Sequence, residues 1–163
     1  MKFLLSLLTV FCTFNTMLAQ DVNTENILIL RDEFGVPYIY SKTDAEAAYA
    51  LAWVQCEDNF YDVQESLLGS EQMLGSVTGK EGAILDALSF IVHAEKTVSK
   101  LYDTSFSSDF KKIIEAYTAG VNQYAAIHPK EIRHRKLFPI TTHDIIETYL
   151  LNLSLISMVH NDI

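Results

Sequence analysis

Residues 27–39 read Ile27-Leu28-Ile29-Leu30-Arg31-Asp32-Glu33-Phe34-Gly35-Val36-Pro37-Tyr38-Ile39, and the layout of the chain follows from how they fold. Two runs rich in Ile, Val and Tyr, 27–30 and 36–40, flank a polar segment with one glycine. This predicts a β-hairpin with Gly35 absorbing the tight backbone. Pro37 has no N–H to give to a ladder, so the second strand is expected to start there or to lie at an edge.

Outward from the hairpin, Thr43-Asp44 is a helix-cap signal, and no helix breaker follows it up to Leu68. Tyr49, Trp53, Cys56, Phe60, Val63 and Leu67 fall on one helical face, while 47–54 is apolar all round and is expected to be buried on most sides. Gly69, Gly75 and Gly79 punctuate the next stretch and leave room for a short helix at 71–74. Residues 83–101 read as one poorly patterned helix. Ser107-Ser108-Asp109 caps a better one, with Phe110, Ile113, Ile114, Tyr117, Val121 and Tyr124 as its apolar stripe. Gly120 inside that helix costs about 1 kcal/mol relative to Ala, which points to a close backbone approach. Pro129 and Pro139 bracket a loop, and Thr141 with Asp144 opens a last helix carrying Ile145, Ile146, Tyr149, Leu150, Leu153 and Ile156. Two short strands and several helices apolar on more than one face make a poor self-contained unit, so a covering surface is expected from elsewhere.

Residues 1–19 read as a secretory leader, with Lys2 as the basic start, an apolar run over 3–11 and Ala19 before the cut, so that the mature chain is residues 20–163. The alternative, an uncleaved anchor, is opposed by Thr13, Asn15 and Thr16, which interrupt the apolar run short of the roughly 20 residues a span needs. No membrane anchor is therefore expected, and the location is periplasmic or extracellular. Loss of Lys2 takes the net charge from −9 to −10, which argues against nucleic acid or an anionic membrane as partner. The basic run 133–136 reads as a solvated loop or a local partner for acidic groups. Cys12 lies in the leader, so Cys56 alone remains, placed in an apolar helix where a thiol is inert packing.

Mononucleotide and dinucleotide loops, paired-cysteine motifs, His-Glu zinc motifs and nucleophile elbows are all missing from the sequence. His93, His128, His134, His143 and His160 are scattered singly and read as surface or hydrogen-bonded residues. The adjacent carboxylates Asp32-Glu33 and Glu57-Asp58 suit solvated or capping roles better than acid–base catalysis. Asn152-Leu153-Ser154 matches a glycosylation acceptor but lies inside an apolar helix.

The segment 31–39 resembles the opening of the penicillin acylase family (penicillin amidases, aculeacin and acyl-homoserine-lactone acylases), whose chains begin with a pattern like R-D-x-x-G-V-P-x-I. The likeness continues through Asp44-Ala45, residues 52–60, Gly69, Leu74-Gly75, Asp86, then 116–124, which is similar to the family's A-Y-A-x-G-V-N-x-Y, and Pro139 before Asp144. It spans about 27–155. Asn59 stands where the family usually has Arg and Cys56 where it usually has Ala; the first removes an ion pair with a nearby carboxylate, so the local packing should differ.

The resemblance implies an α+β fold: the mostly helical α-chain portion of an αββα N-terminal-nucleophile hydrolase, with a short N-terminal β-hairpin. It implies a precursor cut by its own action into α and β chains. The nucleophile is the serine that begins the β chain, and its α-amine, with a pKa near 8, serves as base. No catalytic residue is expected in the present chain, which alone should be inactive. By the same resemblance, Leu155, Ile156, Met158 and Val159 near the end of the last helix are the candidate wall of the acyl pocket; the plainer reading of these four is core packing. Calcium occurs in some relatives, on a glutamate beyond the last helix that nothing here matches, so no metal ligand is assigned. The implied function is an exported amidase acting on linear C–N amide bonds of N-acyl compounds such as acylated β-lactams or acyl-homoserine lactones, with the β chain as partner. Two rivals remain: a catalytically inactive exported binding module on the same scaffold, and an unrelated helical domain that folds alone.

Overall fold

The computed structural model describes the backbone of residues 22–160 and the side chains of residues 22–157. The expected leader and the side chains of Met158 and Val159 lie outside the described residues. A 3-10 turn (Thr24–Asn26) leads into β1 (Leu28–Arg31) and β2 (Pro37–Tyr40), followed by α1 (Asp44–Ser70), α2 (Gly75–Thr78), α3 (Lys80–Val92), α4 (Ala94–Ser105), α5 (Ser108–Ile127) and α6 (Thr142–His160). The architecture is α+β, a helical array with one antiparallel hairpin.

The hairpin forms where its composition predicts, with Leu28 opposite Tyr40, Ile29 opposite Ile39 and Leu30 opposite Tyr38. Asp32 builds the turn, its Oδ1 accepting the N–H groups of Phe34 and Val36 at 2.9 Å each. Gly35 takes φ of +82°, a region side chains avoid. Strand side chains alternate, so Leu28, Leu30, Tyr38 and Tyr40 share the outer face while Ile29 and Ile39 turn toward α1.

Helix α1 opens with a full capping box. Thr43 Oγ1 accepts from the Glu46 N–H at 3.2 Å, and Glu46 Oε2 accepts from Thr43 N–H at 3.1 Å and Lys42 N–H at 2.9 Å. Its predicted stripe is inward: Tyr49, Cys56, Phe60 and Leu67 are buried, with Trp53 and Val63 packed beside them. The expectation of unbroken helix to Leu68 needs correcting. At Asn59 the backbone leaves helical geometry (φ −158°, ψ 78°), and Asn59 Oδ1 accepts the Asp62 N–H at 3.2 Å, capping the helix afresh. An asparagine amide competes for local backbone N–H groups, so a residue with no breaker signature makes the bend.

The main core lies between α1 and α5, with α6 and the loop before it closing one side. Gly120 is where α5 presses closest: a Cβ there would stand 2.6 Å from the Tyr49 carbonyl oxygen and 2.9 Å from the Ala52 Cβ. Tyr124 packs edge-on to both Trp53 and Phe60, with ring centroids at 5.3 and 5.0 Å. The connecting loop is pinned by two side-chain amides. Gln64 Nε2 donates to the Glu131 carbonyl at 3.0 Å and its Oε1 accepts from the Arg133 N–H at 2.8 Å, and Asn122 holds Ile140 in the same two-way manner. Helix α6 begins with the predicted Thr141/Asp144 box, Thr141 N–H donating to Asp144 Oδ2 at 2.7 Å.

Two further expectations are corrected. The short helix falls at Gly75–Thr78, not 71–74, because the Asp86 carboxylate accepts the Leu74 and Gly75 N–H groups at 2.9 and 2.8 Å and so fixes where the helix starts. Residues 83–101 are two helices: His93 adopts the left-handed conformation (φ 54°, ψ 38°) and separates α3 from α4.

Candidate functional site

The paired carboxylates Glu57 and Asp58 serve as a clamp. Arg31 NH2 lies 2.9 Å from Glu57 Oε2 and 2.7 Å from Asp58 Oδ1, while NH1 donates to the Gly35 carbonyl at 2.8 Å. These hydrogen bonds and charges raise the guanidinium pKa further, and one planar fork thereby ties the hairpin turn to α1. Sequence spacing gave no sign of this partnership, since 26 residues separate Arg31 from Glu57. The Asn59 departure fits beside it, because the neighbouring acids are neutralised from the hairpin.

The other motif positions are likewise occupied in holding backbone. Gly120 admits α1, Asn122 grips Ile140, Asp86 caps α2, and Ala116 and Val121 are fully enclosed between helices. Glu46, buried at the capping box, is held below the ordinary carboxylate range chiefly by the Asn26 amide at 2.6 Å, then by the Lys42 and Thr43 N–H groups. Cys56 is enclosed, and burial pushes its thiol up to about 12, which makes it a weak nucleophile at neutral pH. Burial likewise raises Tyr117, whose hydroxyl donates to Gln55 Oε1. Among the described residues no group of three or more His, Cys, Asp or Glu side chains is placed to hold a metal ion.

The unfinished surfaces are more telling. Phe34 at the hairpin tip is 83% exposed, and the outer-face pairs Leu28/Tyr40 and Leu30/Tyr38 are each about half exposed. Helix α3 presents Ile84, Leu85, Phe90 and Ile91, and α6 presents Tyr149, Leu153 and Ile156. Of the four candidate pocket residues, Leu155 is half-buried and Ile156 is 67% exposed, so in this chain Ile156 is not core; the side chains of Met158 and Val159 are not among those described. Inside the hairpin, a groove of about 430 Å³ runs between Thr24, Ile27, Ile29, Tyr49, Trp53 and Gln123.

One group escaped the reading of residue patterns. Glu147 on α6 is only 4% exposed and sits among apolar neighbours in sequence, Ile145-Ile146-Glu147. A lone carboxyl inside an apolar helical stripe was the available signal. Burial first, then the carboxylates of Glu71, Asp144 and Glu95, push its pKa up to about 7. Among the described residues no helix is long and apolar enough to cross a membrane.

Known proteins place this geometry. The family model described as penicillin amidase matches residues 26–152. An acyl-homoserine lactone acylase, QuiP, of Pseudomonas fluorescens is 28% identical over 100 residues, covering 61% of this chain and 12% of the relative. A penicillin acylase 2 proenzyme of a Pseudomonas species is 28% identical over 103 residues, with 61% and 13% covered. The chain thus spans about an eighth of the length of the curated relatives it matches. Among solved structures, a thermostable penicillin G acylase from Alcaligenes faecalis superposes with a TM-score of 0.65 over 78% of this chain and 72% of that chain, at 15% identity, which bears on the fold. With the family model covering most of its length, the hairpin clamp and the 116–124 helix belonging to that match, this chain belongs to the penicillin amidase family.

Proposed function

We propose that this chain is the α portion of an exported amidase that hydrolyses linear C–N amide bonds of N-acyl compounds, acyl-homoserine lactones or acylated β-lactams, after autoproteolytic maturation of a longer precursor. The observation that carries the reading is the two-sided apolar hairpin. Ile29 and Ile39 turn to α1, while Leu28, Leu30, Tyr38 and Tyr40 stand uncovered on the other face. A sheet apolar on both faces belongs inside a layered structure, so the outer face is assigned to the β chain of the same precursor. The superposition supports this division, since it covers 72% of the solved chain, whereas the match to the curated relative QuiP covers 12% of that relative.

In this reading the β chain brings the N-terminal serine, whose α-amine takes the proton as the hydroxyl attacks the amide carbonyl, and calcium, where present, is held outside this chain. Leu155, Ile156, Met158 and Val159 form the near wall of the acyl pocket. The test is to express the complete coding region, including the bases downstream of Ile163, and measure cleavage into two chains and release of free amine from N-acyl-homoserine lactones and penicillin G. Two chains and hydrolysis of either substrate support the reading. A stop codon directly after Ile163 with no β-type partner gene, or an uncut and inactive full-length product, overturns it in favour of an inactive binding module.

A further inference from the structure

Helix α3 is built inside out. The helical period sets Gly82, Asp86 and Ser89 within an arc of about 60° and Ile84, Ala87 and Ile91 on the opposite side, with Leu85 and Phe90 at the flanks. The arc turned to the protein is the small and polar one. Gly82 is buried where a Cβ would stand 2.7 Å from the Leu74 carbonyl oxygen, Asp86 accepts the Leu74 and Gly75 N–H groups, and Ser89 donates its hydroxyl to the Ser70 carbonyl at 3.0 Å. The large apolar side chains point away: Ile84 is 56% exposed, Phe90 60% and Ile91 63%.

These inward anchors fix the rotation of the helix. Turning α3 to bury Ile84 and Ile91 would break the hydrogen bonds made by Asp86 and Ser89, and would press a side chain on the Leu74 backbone where only a glycine fits. Between Glu81 and His93 the sole charged residue is Asp86, engaged on the inner side, so the outer face is uncharged as well as apolar. A contiguous patch of this kind marks an interface. Its residues recur at 84, 87, 88 and 91, the three- and four-residue spacing that packs against another helix.

A second copy is a poor occupant, because each chain carries a net charge of −9 and the copies repel. A bilayer fits no better: interfacial helices are rich in basic residues beside their apolar face, and α3 offers Lys80 alone, at its first position. The rest of a precursor is large enough to serve, since the match to QuiP covers 12% of that relative. The patch is also distinct from the hairpin. Helix α3 is anchored at Ser70, the last residue of α1, whereas Ile29 of the hairpin shares a groove with Tyr49 and Trp53 in the first half of that helix. We propose that the outer face of α3, centred on Ile84, Ala87, Phe90 and Ile91, is a second docking surface for the β chain, covered by an apolar, uncharged helix face of that chain. The inference rests on the amidase reading above, which supplies the β chain.

The complete coding region, expressed and matured, provides the test. Two chains and amide hydrolysis are first scored on the unmodified protein, and an uncut, inactive product overturns the reading and this inference together. In the cut, active protein, the thiol of Phe90→Cys should react with a polar maleimide about tenfold more slowly than in urea, read by peptide mass to separate it from Cys56. Ile84→Cys should behave alike and serves if the first variant fails to mature. A benzophenone side chain introduced at position 90 should, on illumination, join the α chain to the β chain. Labelling as fast as in urea in a cut and active protein, or an adduct between two α chains, overturns the docking surface and leaves the amidase reading standing.

Discussion

Asn122 and Ile140 exchange two hydrogen bonds of 2.8 Å, the side-chain amide donating to the Ile140 carbonyl and accepting from its N–H, so that one side chain completes the backbone of a loop 18 residues away. The amide thus takes the place of a neighbouring strand, at the point where the chain turns into α6.

Removing it should be costly. Asn122→Leu leaves both an N–H and a carbonyl unpaired in a partly buried site and should lower stability by about 2–3 kcal/mol. Asn122→Asp keeps the acceptor and should lose roughly half as much. Denaturant midpoints of the two variants, compared at pH 7, give the ranking; equal losses would contradict the two-bond account.

Gly120 makes a steric prediction. An added methyl would meet the Tyr49 carbonyl at 2.6 Å, backbone that has no rotamer to yield, so Gly120→Ala should destabilise by about 1–3 kcal/mol through forced separation of α1 and α5. A Cβ added at Gly35 would meet no atom within 4 Å, and Gly35→Ala should cost about 1–2 kcal/mol through its positive φ alone. A compensating Ala52→Gly change should recover part of the first loss and none of the second, as read by thermal melts.

Glu46 sets an acid limb. Its carboxylate is held below the ordinary range by Asn26 first and by two backbone N–H groups, so the stability it contributes is present above about pH 4.5 and disappears as pH falls through its lowered value in the folded state. Glu46→Gln should therefore be less stable than the parent at pH 7 and approach it at pH 3. Urea titrations at the two pH values measure the difference.

Cys56 offers a probe of closure. With its thiol enclosed and shifted up to about 12, alkylation by iodoacetamide at pH 8 should be undetectable in the folded protein and complete within minutes in urea. Rapid labelling without denaturant would show that the α1–α5 core opens readily.

How much of this was legible beforehand depended on range. The hairpin, the Thr43 cap, the Thr141 box, the α5 cap at Ser107 and the inward stripe of α1 follow from neighbours within a few residues, and all are found where such signals place them. The bend at Asn59 and the break at His93 carry no glycine or proline, so local grammar passed over them. Arg31 finding Glu57 and Asp58, and Glu147 finding Glu71 and Glu95, are products of tertiary packing; no spacing rule joins residues on different elements. Of the candidate pocket wall, Leu155 is half-buried and Ile156 is exposed near the end of α6.

The α1–α5 contact also has a consequence in time. Gln55 meets Tyr117 across 62 residues of chain, and the loop pinned by Gln64 is 67 residues on. At a synthesis rate of roughly 5–20 residues per second, the inner stripe of α1 stands without its cover for roughly 3–12 seconds after it is made. During that interval Trp53, Cys56, Phe60 and Leu67 form an adhesive surface on a nascent chain. Whatever escorts this polypeptide must shield that segment first.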